Sequence, residues 1–364
     1  MSQLRNKSIL KMSNHALYDL PTSISLNYFY NYGSMLSGCF VVQMITGFLL
    51  VSHFVPHIIF AFDSISHISR DLSWGWLMRL SHANGASMFF ICIYIHLGRG
   101  LYFSSYRNHK TWLSGVILFI LSILIAFLGY VLVWGQMSYW AATVITNLLS
   151  VIPYIGKILV EWLWGGFAIG LPTLTRFLSM HFISPLILLC LIFIHLILLH
   201  EKLTPGPSGL HNYDDMTWFH PYFSLSDGAT LIIMMVNLFL IITFFPYMFL
   251  DPENFQEANT MMTPEHILPE WYFLPFYAIL RSIPNKLLGV MMLLLSMVVL
   301  FLLPYLNMKQ SRIFSPVHKI LFYLSLFNFL FLGWIGMMPV ENPFIMMGLV
   351  STYLYFLLIL IKNL

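Results

Sequence analysis

Charge is what this chain has least of. Asp, Glu, Lys and Arg make up 9% of its 364 residues, against 59% hydrophobic and 17% aromatic. A soluble domain ordinarily carries about 25% charged residues, so a water-facing globule is excluded and an integral membrane protein is implied. The formal net charge of +3 is too small, and its cations too dispersed, for a nucleic-acid partner. Cysteine is equally scarce. Cys39, Cys92 and Cys190 each stand alone in an apolar run, which argues against a disulfide framework or a cysteine metal cluster and reads them as small packing residues. A cleaved signal is not evident either. The stretch MSQLRNKSILKMSNHALYDLP carries Arg5, Lys7 and Lys11 without a continuous apolar core, and is expected to lie as an amphipathic segment on the membrane surface. Neither a periodic repeat nor a low-complexity segment is present.

What the chain has in abundance is apolar length. With about 20 apolar residues needed to cross a bilayer, eight helices are expected, at roughly 31–53, 75–103, 111–134, 173–200, 226–246, 288–308, 320–337 and 343–362. The fold class is therefore all-α. An even number of spans leaves both termini on one side. That side holds Arg5, Lys7, Lys11, Arg99, Arg107, Lys110, Lys202, Lys309, Arg312, Lys319 and Lys362, eleven of the 17 cations, which makes it the cytoplasm-equivalent or matrix side. Two connections, 135–172 and 247–287, are too long to be links and share the opposite face, where long ordered loops commonly build a site.

The costliest residues in such a chain are ionisable ones inside the spans. The run HANGASMFFICIYIH places His82 and His96 14 residues apart, and HFISPLILLCLIFIH repeats the interval with His181 and His195. Fourteen residues advance roughly 21 Å and turn through about 1400°, within some 40° of whole turns. Each pair therefore shares a helix face at two depths, and because the second and fourth helices run in the same direction, His82 can face His181 and His96 can face His195. A single histidine in a span is ordinarily hydrogen-bonded to a neighbouring helix or to water. Two on each of two helices at one spacing suit the axial positions of two haem irons.

Glycine repeats the interval: Gly33 and Gly47 on the first helix, Gly115 and Gly129 on the third. Alone these are ordinary packing residues; in register with the histidines they allow the close backbone approach that a flat macrocycle needs at its edges. Four helices then form a bundle around two stacked sites. Arg79 and Arg99, each three residues from a histidine, are candidate partners for haem propionates, or else interfacial side chains that snorkel to water.

The segments RLSHANGASMFFICIYIHLGRG and GYVLVWGQMSYWAATVITNLLSVIPYIG, the tetrad PEWY at 269–272 and LRSIPNK together closely resemble cytochrome b of the respiratory cytochrome bc1 complex, complex III, of mitochondrial type, from about residue 15 to the C-terminus. The resemblance implies an eight-helix fold with a di-haem region over 1–205 and a second region over 206–364 that carries the PEWY loop. It implies a subunit of ubiquinol–cytochrome c oxidoreductase in the mitochondrial inner membrane, with both termini in the matrix. Such a subunit oxidises ubiquinol at the positive side, passes electrons through low- and high-potential b haems and reduces quinone at the matrix side, contributing to the proton gradient.

By the same resemblance His82 and His181 would ligate the low-potential haem, and His96 and His195 the high-potential haem. Glu270 would accept quinol protons, with Tyr272, Pro269, Tyr130, Gly135, Ala141 and Ile145 around it. His200, Asp227 and Thr204 would serve quinone reduction. Implied cofactors are two non-covalent b-type haems with ubiquinol and ubiquinone as substrates; implied partners are a Rieske iron-sulfur protein, cytochrome c1, other complex III subunits, a second copy of the chain in a homodimer, and membrane lipid.

The sequence departs from the family pattern at Val133, where proline is usual, at Ala141, where glycine is usual, at Ser226, where lysine is usual, and at Thr204, where serine is usual. Val133 would soften a kink and Ala141 would add a methyl to the quinol pocket. A di-haem anchor of a dehydrogenase would share the histidines but have no use for PEWY or eight spans. A proton-relaying transporter would show discontinuous helices and internal repeats.

Overall fold

A computed structural model describes residues 14, 18–202, 206–207, 215–306 and 315–361. Residues 1–13 and 15–17 of the N-terminal stretch expected to lie on the membrane, Thr204, and the cations Arg5, Lys7, Lys11, Lys309, Arg312 and Lys362 fall outside the described residues.

The architecture is all-α. Twelve helices occur among the described residues: α1 Tyr32–Val51, α2 Ala61–Arg70, α3 Gly75–Tyr102, α4 His109–Val131, α5 Gln136–Asn147, α6 Gly156–Trp164, α7 Leu171–Lys202, α8 Tyr222–Phe244, α9 Leu274–Ser282, α10 Lys286–Leu302, α11 Pro316–Met337 and α12 Phe344–Ile361. Each of the eight expected spans coincides with one of them. Six, namely α1, α4, α7, α8, α11 and α12, are long and apolar enough to cross a membrane. The other two are α3, 28 residues long but carrying Arg79 and Arg99, and α10, 17 residues long. A two-stranded antiparallel ribbon, β1 Pro21–Ser23 with β2 Met216–Trp218, ties the start of the chain to the approach to α8.

Helix ends follow local chemistry. Asn285 caps α10 by accepting the Leu288 N–H at 2.9 Å, and Ser315 caps α11 ahead of Pro316 in the first turn. At the end of α4 the amides of Leu132, Val133 and Trp134 bond back to Gly129, Tyr130 and Val131, and Trp134 then turns left-handed at φ 57°. Val133 uses its N–H in that closure, which a proline there could not do. Gly165, at φ 73°, ends α6 where a side chain would be strained and would meet Pro172.

Helix α1 packs along α3, and α4 along α7; α8 leans on both α1 and α3. In the second half α9 wedges between α10, α11 and α12. An aromatic core joins the halves: Phe90, Tyr106, Trp112 and Phe119 from the first pack with Tyr272 and Phe276 from the second. Phe90 stacks on Tyr272 with centroids 4.0 Å apart, and Trp271 donates to Ser87 at 3.1 Å. The 269–272 tetrad is thereby held against α3.

Candidate functional site

The four intramembrane histidines converge in two pairs. The rings of His82 on α3 and His181 on α7 lie 6.2 Å apart, and those of His96 and His195 lie 6.5 Å apart. The glycines meet them in antiparallel register. A Cβ placed on Gly47 would come to 3.1 Å from His82 Cε1 and one on Gly129 to 2.4 Å from His181 Cε1. One on Gly115 would be 3.2 Å from His195, and one on Gly33 would be 3.5 Å from His96. At three of the four positions a side chain would press on an imidazole.

Hydrogen bonds select the tautomers. His181 Nδ1 donates to the Ile125 carbonyl at 2.9 Å. The Thr46 hydroxyl donates to the Val42 carbonyl and so accepts from His82 Nδ1 at 2.9 Å. The Ser114 hydroxyl donates to Thr111 and accepts from His195 Nδ1 at 2.8 Å. With Nδ1 protonated in all three, Nε2 keeps its lone pair for a metal. His96 differs: Arg99 Nη2 stands 3.3 Å from its Nδ1, and a guanidinium can only donate. For Nε2 of His96 to ligate in the same way, Arg99 must swing aside. It has reason to do so, since its Nε is buried without a partner, while its guanidinium lies 4.7 Å over the Tyr30 ring.

These features fit haem. Two metal–nitrogen bonds of about 2 Å, with about 1.1 Å from each nitrogen to its ring centre, separate two axial imidazole centres by about 6.3 Å, close to both observed spacings. The partnerless Arg99 Nε is the donor that a carboxylate would satisfy.

A cavity of about 660 Å³ runs from the His82–His181 pair to the 247–273 connection, bounded by Gly47, Gly129, Arg79, Tyr130, Glu270 and Tyr272 among others; its size suits a small-molecule site. Glu270 is pushed up to about 7, first by burial and then by the Asp251 carboxylate, while Arg79 and hydrogen bonding from Tyr130 pull the other way. Burial and the Glu270 carboxylate push the Tyr272 hydroxyl up. A carboxyl that exchanges protons near neutrality, in a mostly apolar cavity, suits proton abstraction from a bound ligand.

Gly135, Ala141, Ile145 and Pro269 are not part of the cavity's lining. Ala141 is buried at 4% exposure on α5, so its methyl does not reach this space. The reason is a fastening that sequence spacing does not reveal. Asn254 Oδ1 accepts from Ser138 N at 2.9 Å and from its hydroxyl at 3.0 Å. Gly135 pairs with Glu257, and Gln136 N donates to Gln256 at 2.9 Å. The two long connections thus close on each other at Gly135, leaving Asp251, Asn254 and Phe255 on the cavity side.

At the other membrane face Asp227 on α8 accepts from Ser34 at 2.8 Å, and Asn31 donates to Ser226 at 2.8 Å and to Thr230 at 3.3 Å. Ser226 is thus bonded to α1 rather than left as a gap where a lysine would stand. His200 sits half-buried on the last turn of α7. Sequence reasoning missed Thr46, Ser114, Ser34, Asn31 and Asn254. Two had a visible signal, since Thr46 and Ser114 each immediately precede a glycine of the 14-residue set; the others are joined only by tertiary contact.

Comparison with known proteins gives consistent results. Residues 17–203 match the family model described as Cytochrome b/b6/petB, and residues 257–356 the one described as Cytochrome b(C-terminal)/b6/petD. A solved chain from "Hyperthermophilic respiratory Complex III" is 31% identical, with a TM-score of 0.92, covering 100% of this chain and 98% of that one.

Proposed function

The chain belongs to the cytochrome b family, and from that membership we propose that it is the di-haem b subunit of a proton-translocating quinol–cytochrome c reductase. It would span the mitochondrial inner membrane eight times with both termini in the matrix, residues 1–205 carrying the haems and 206–364 the PEWY loop. Rieske iron-sulfur protein, cytochrome c1, further complex III subunits and a second copy of the chain are its proposed partners. The observation that carries the reading is the pairing of four histidines at two depths, each opposite a glycine and three of them with Nδ1 held by a hydrogen-bond acceptor.

His82 with His181, and His96 with His195, would hold the two haems, and Arg79 and Arg99 would face their propionates. When bound, the haems supply one-electron carriers at two depths. Glu270 takes a proton from quinol held at the Glu270 end of the cavity, beyond the part lined by His82 and His181. Asp251 beside it disfavours a second negative charge, so Glu270 stays ready to exchange protons near pH 7. Tyr130 and Tyr272 present hydroxyls to the same space. Gly135 and Ala141 would act on it through α5, which the Asn254 fastening positions, and Ile145 and Pro269 would act as further shaping residues outside its lining. At the opposite face Asp227, oriented by Ser34, and His200 supply protons to reduced quinone; Thr204 would join them.

A redox-titrated difference spectrum of the purified protein tests this. Two b-type components with separated midpoints are expected, and a single component, or none, overturns the proposal.

A further inference from the structure

Between the two histidine depths, nearer that of His96, lies a cluster that electron transfer and proton exchange do not use. Its buried members are Cys39, Met88, Cys92 and Met234, and Met35, Met235, Tyr32, Leu36, Phe89, Leu231 and Ile241 pack around them. Six of these eleven side chains carry sulfur, in a chain with only three cysteines and 22 methionines. They come from three helices, α1, α3 and α8. Cys39 Sγ lies 3.2 Å from Met234 Sδ, and Cys92 on α3 is packed in the same cluster. Cys39 and Cys92 are each 1% exposed and Met234 is 2% exposed.

Two thiols and a thioether packed in one cluster are soft donors, and Tyr32 carries the cluster's single side-chain oxygen; such a set favours Cu(I)-type ions over Mg²⁺, Ca²⁺ or Mn²⁺. The lipid interior adds a second filter, since a loaded site there is stable only if it is close to neutral. A monovalent ion meets that condition. We propose that Cys39, Cys92 and Met234 form a binding site for one soft monovalent metal ion, Cu(I) or its analogue Ag(I), inside the membrane. On binding, the S–H bond of one thiol breaks, a sulfur–metal bond forms and the proton leaves to water; nothing is oxidised or reduced. The second thiol and the thioether bind as neutral donors, so thiolate and ion cancel. Met35 and Met235, which are only partly buried, offer thioether contacts at the margin through which the ion enters.

The location gives such an ion a readable effect. Cys39 follows Ser34 by five residues and Met234 follows Asp227 by seven, so the site lies roughly 7–10 Å along the two helices from the Ser34–Asp227 hydrogen bond. An ion bridging α1 and α8 there would fix their relative position close to Asp227.

The test is Ag(I) titration of the intact purified membrane complex, with bound silver counted by elemental analysis and its neighbours read by X-ray absorption. C39S and C92S should each bind one silver fewer per chain than wild type, M234L should hold it at least tenfold more weakly, and C190S should match wild type. Equal silver content in wild type and C39S, or silver without a sulfur shell in C190S, overturns the proposal. Should C39S and C92S fail to assemble, M234L decides, and unchanged silver affinity there also overturns it.

Discussion

Replacing Gly129 with alanine is the sharpest perturbation of the proposed haem site. The new Cβ would lie 2.4, 2.8 and 3.0 Å from Cε1, Nε2 and Nδ1 of His181, so the ring as a whole must move, and a rigid ring cannot fold away as a flexible chain end would. Moving it breaks the 2.9 Å bond from Nδ1 to the Ile125 carbonyl, which belongs to the same helix and cannot follow. Overpacking costs about 1–3 kcal/mol, and the lost hydrogen bond about 0.5–1.5 kcal/mol. The roughly 1 kcal/mol by which alanine favours helix over glycine acts on folding of α4, not on ligand geometry. Haem held by His82 and His181 should thus be weakened by about 1.5–4.5 kcal/mol, roughly ten- to two-thousandfold. Gly33→Ala is the internal control, because its Cβ would meet His96 at 3.5 Å, an ordinary contact. Difference spectra of the two variants should show one b component selectively lost in Gly129→Ala and both retained in Gly33→Ala. Full retention in Gly129→Ala, or greater loss in Gly33→Ala, would refute the claim that these glycines set the space for the imidazoles.

Three further outcomes are expected. Quinol oxidation should fall as pH drops below about 7, because Glu270 is then protonated and cannot accept; Glu270→Gln should lower the rate and abolish that acidic limb, and a pH–rate profile decides it. Thr46→Val removes the acceptor for His82 Nδ1 and leaves the imidazole a weaker donor, so the midpoint of that haem should rise while the other stays, with Ser114→Ala doing the converse through His195; a potentiometric titration showing equal shifts in both would contradict this. Asn254→Ala removes both of its bonds to Ser138 and leaves only the backbone pairing of Gly135 and Gln136 with 256–257, and limited proteolysis should find both long connections cut faster, not the 247–273 segment alone.

The haem-sized spacing was legible because a helix converts residue number into depth. His82 and His96 on one helix and His181 and His195 on another needed only the rise per residue to be placed, and the glycines needed only antiparallel neighbours. The hydroxyls of Thr46 and Ser114 were legible in principle, being adjacent in sequence to those glycines. The cavity wall was not. Ala141 reads as a pocket residue by its place in the quoted segment, yet where α5 sits depends on Asn254, more than a hundred residues away. No periodicity links the two, because loops carry no repeat that fixes which atoms meet. The same holds for Ser226, whose substitution for lysine looked like a missing charge until Asn31 was found bonded to it.

Because Asn254 holds Ser138 while the backbone of 256–257 pairs with Gly135 and Gln136, the two long connections behave genetically as one locus. A substitution in 135–147 that alters inhibitor or quinol binding is expected to be compensated by second changes in 251–259 rather than by neighbours in its own segment. Changes arising in either connection should then be interchangeable in phenotype, although they map to opposite halves of the chain.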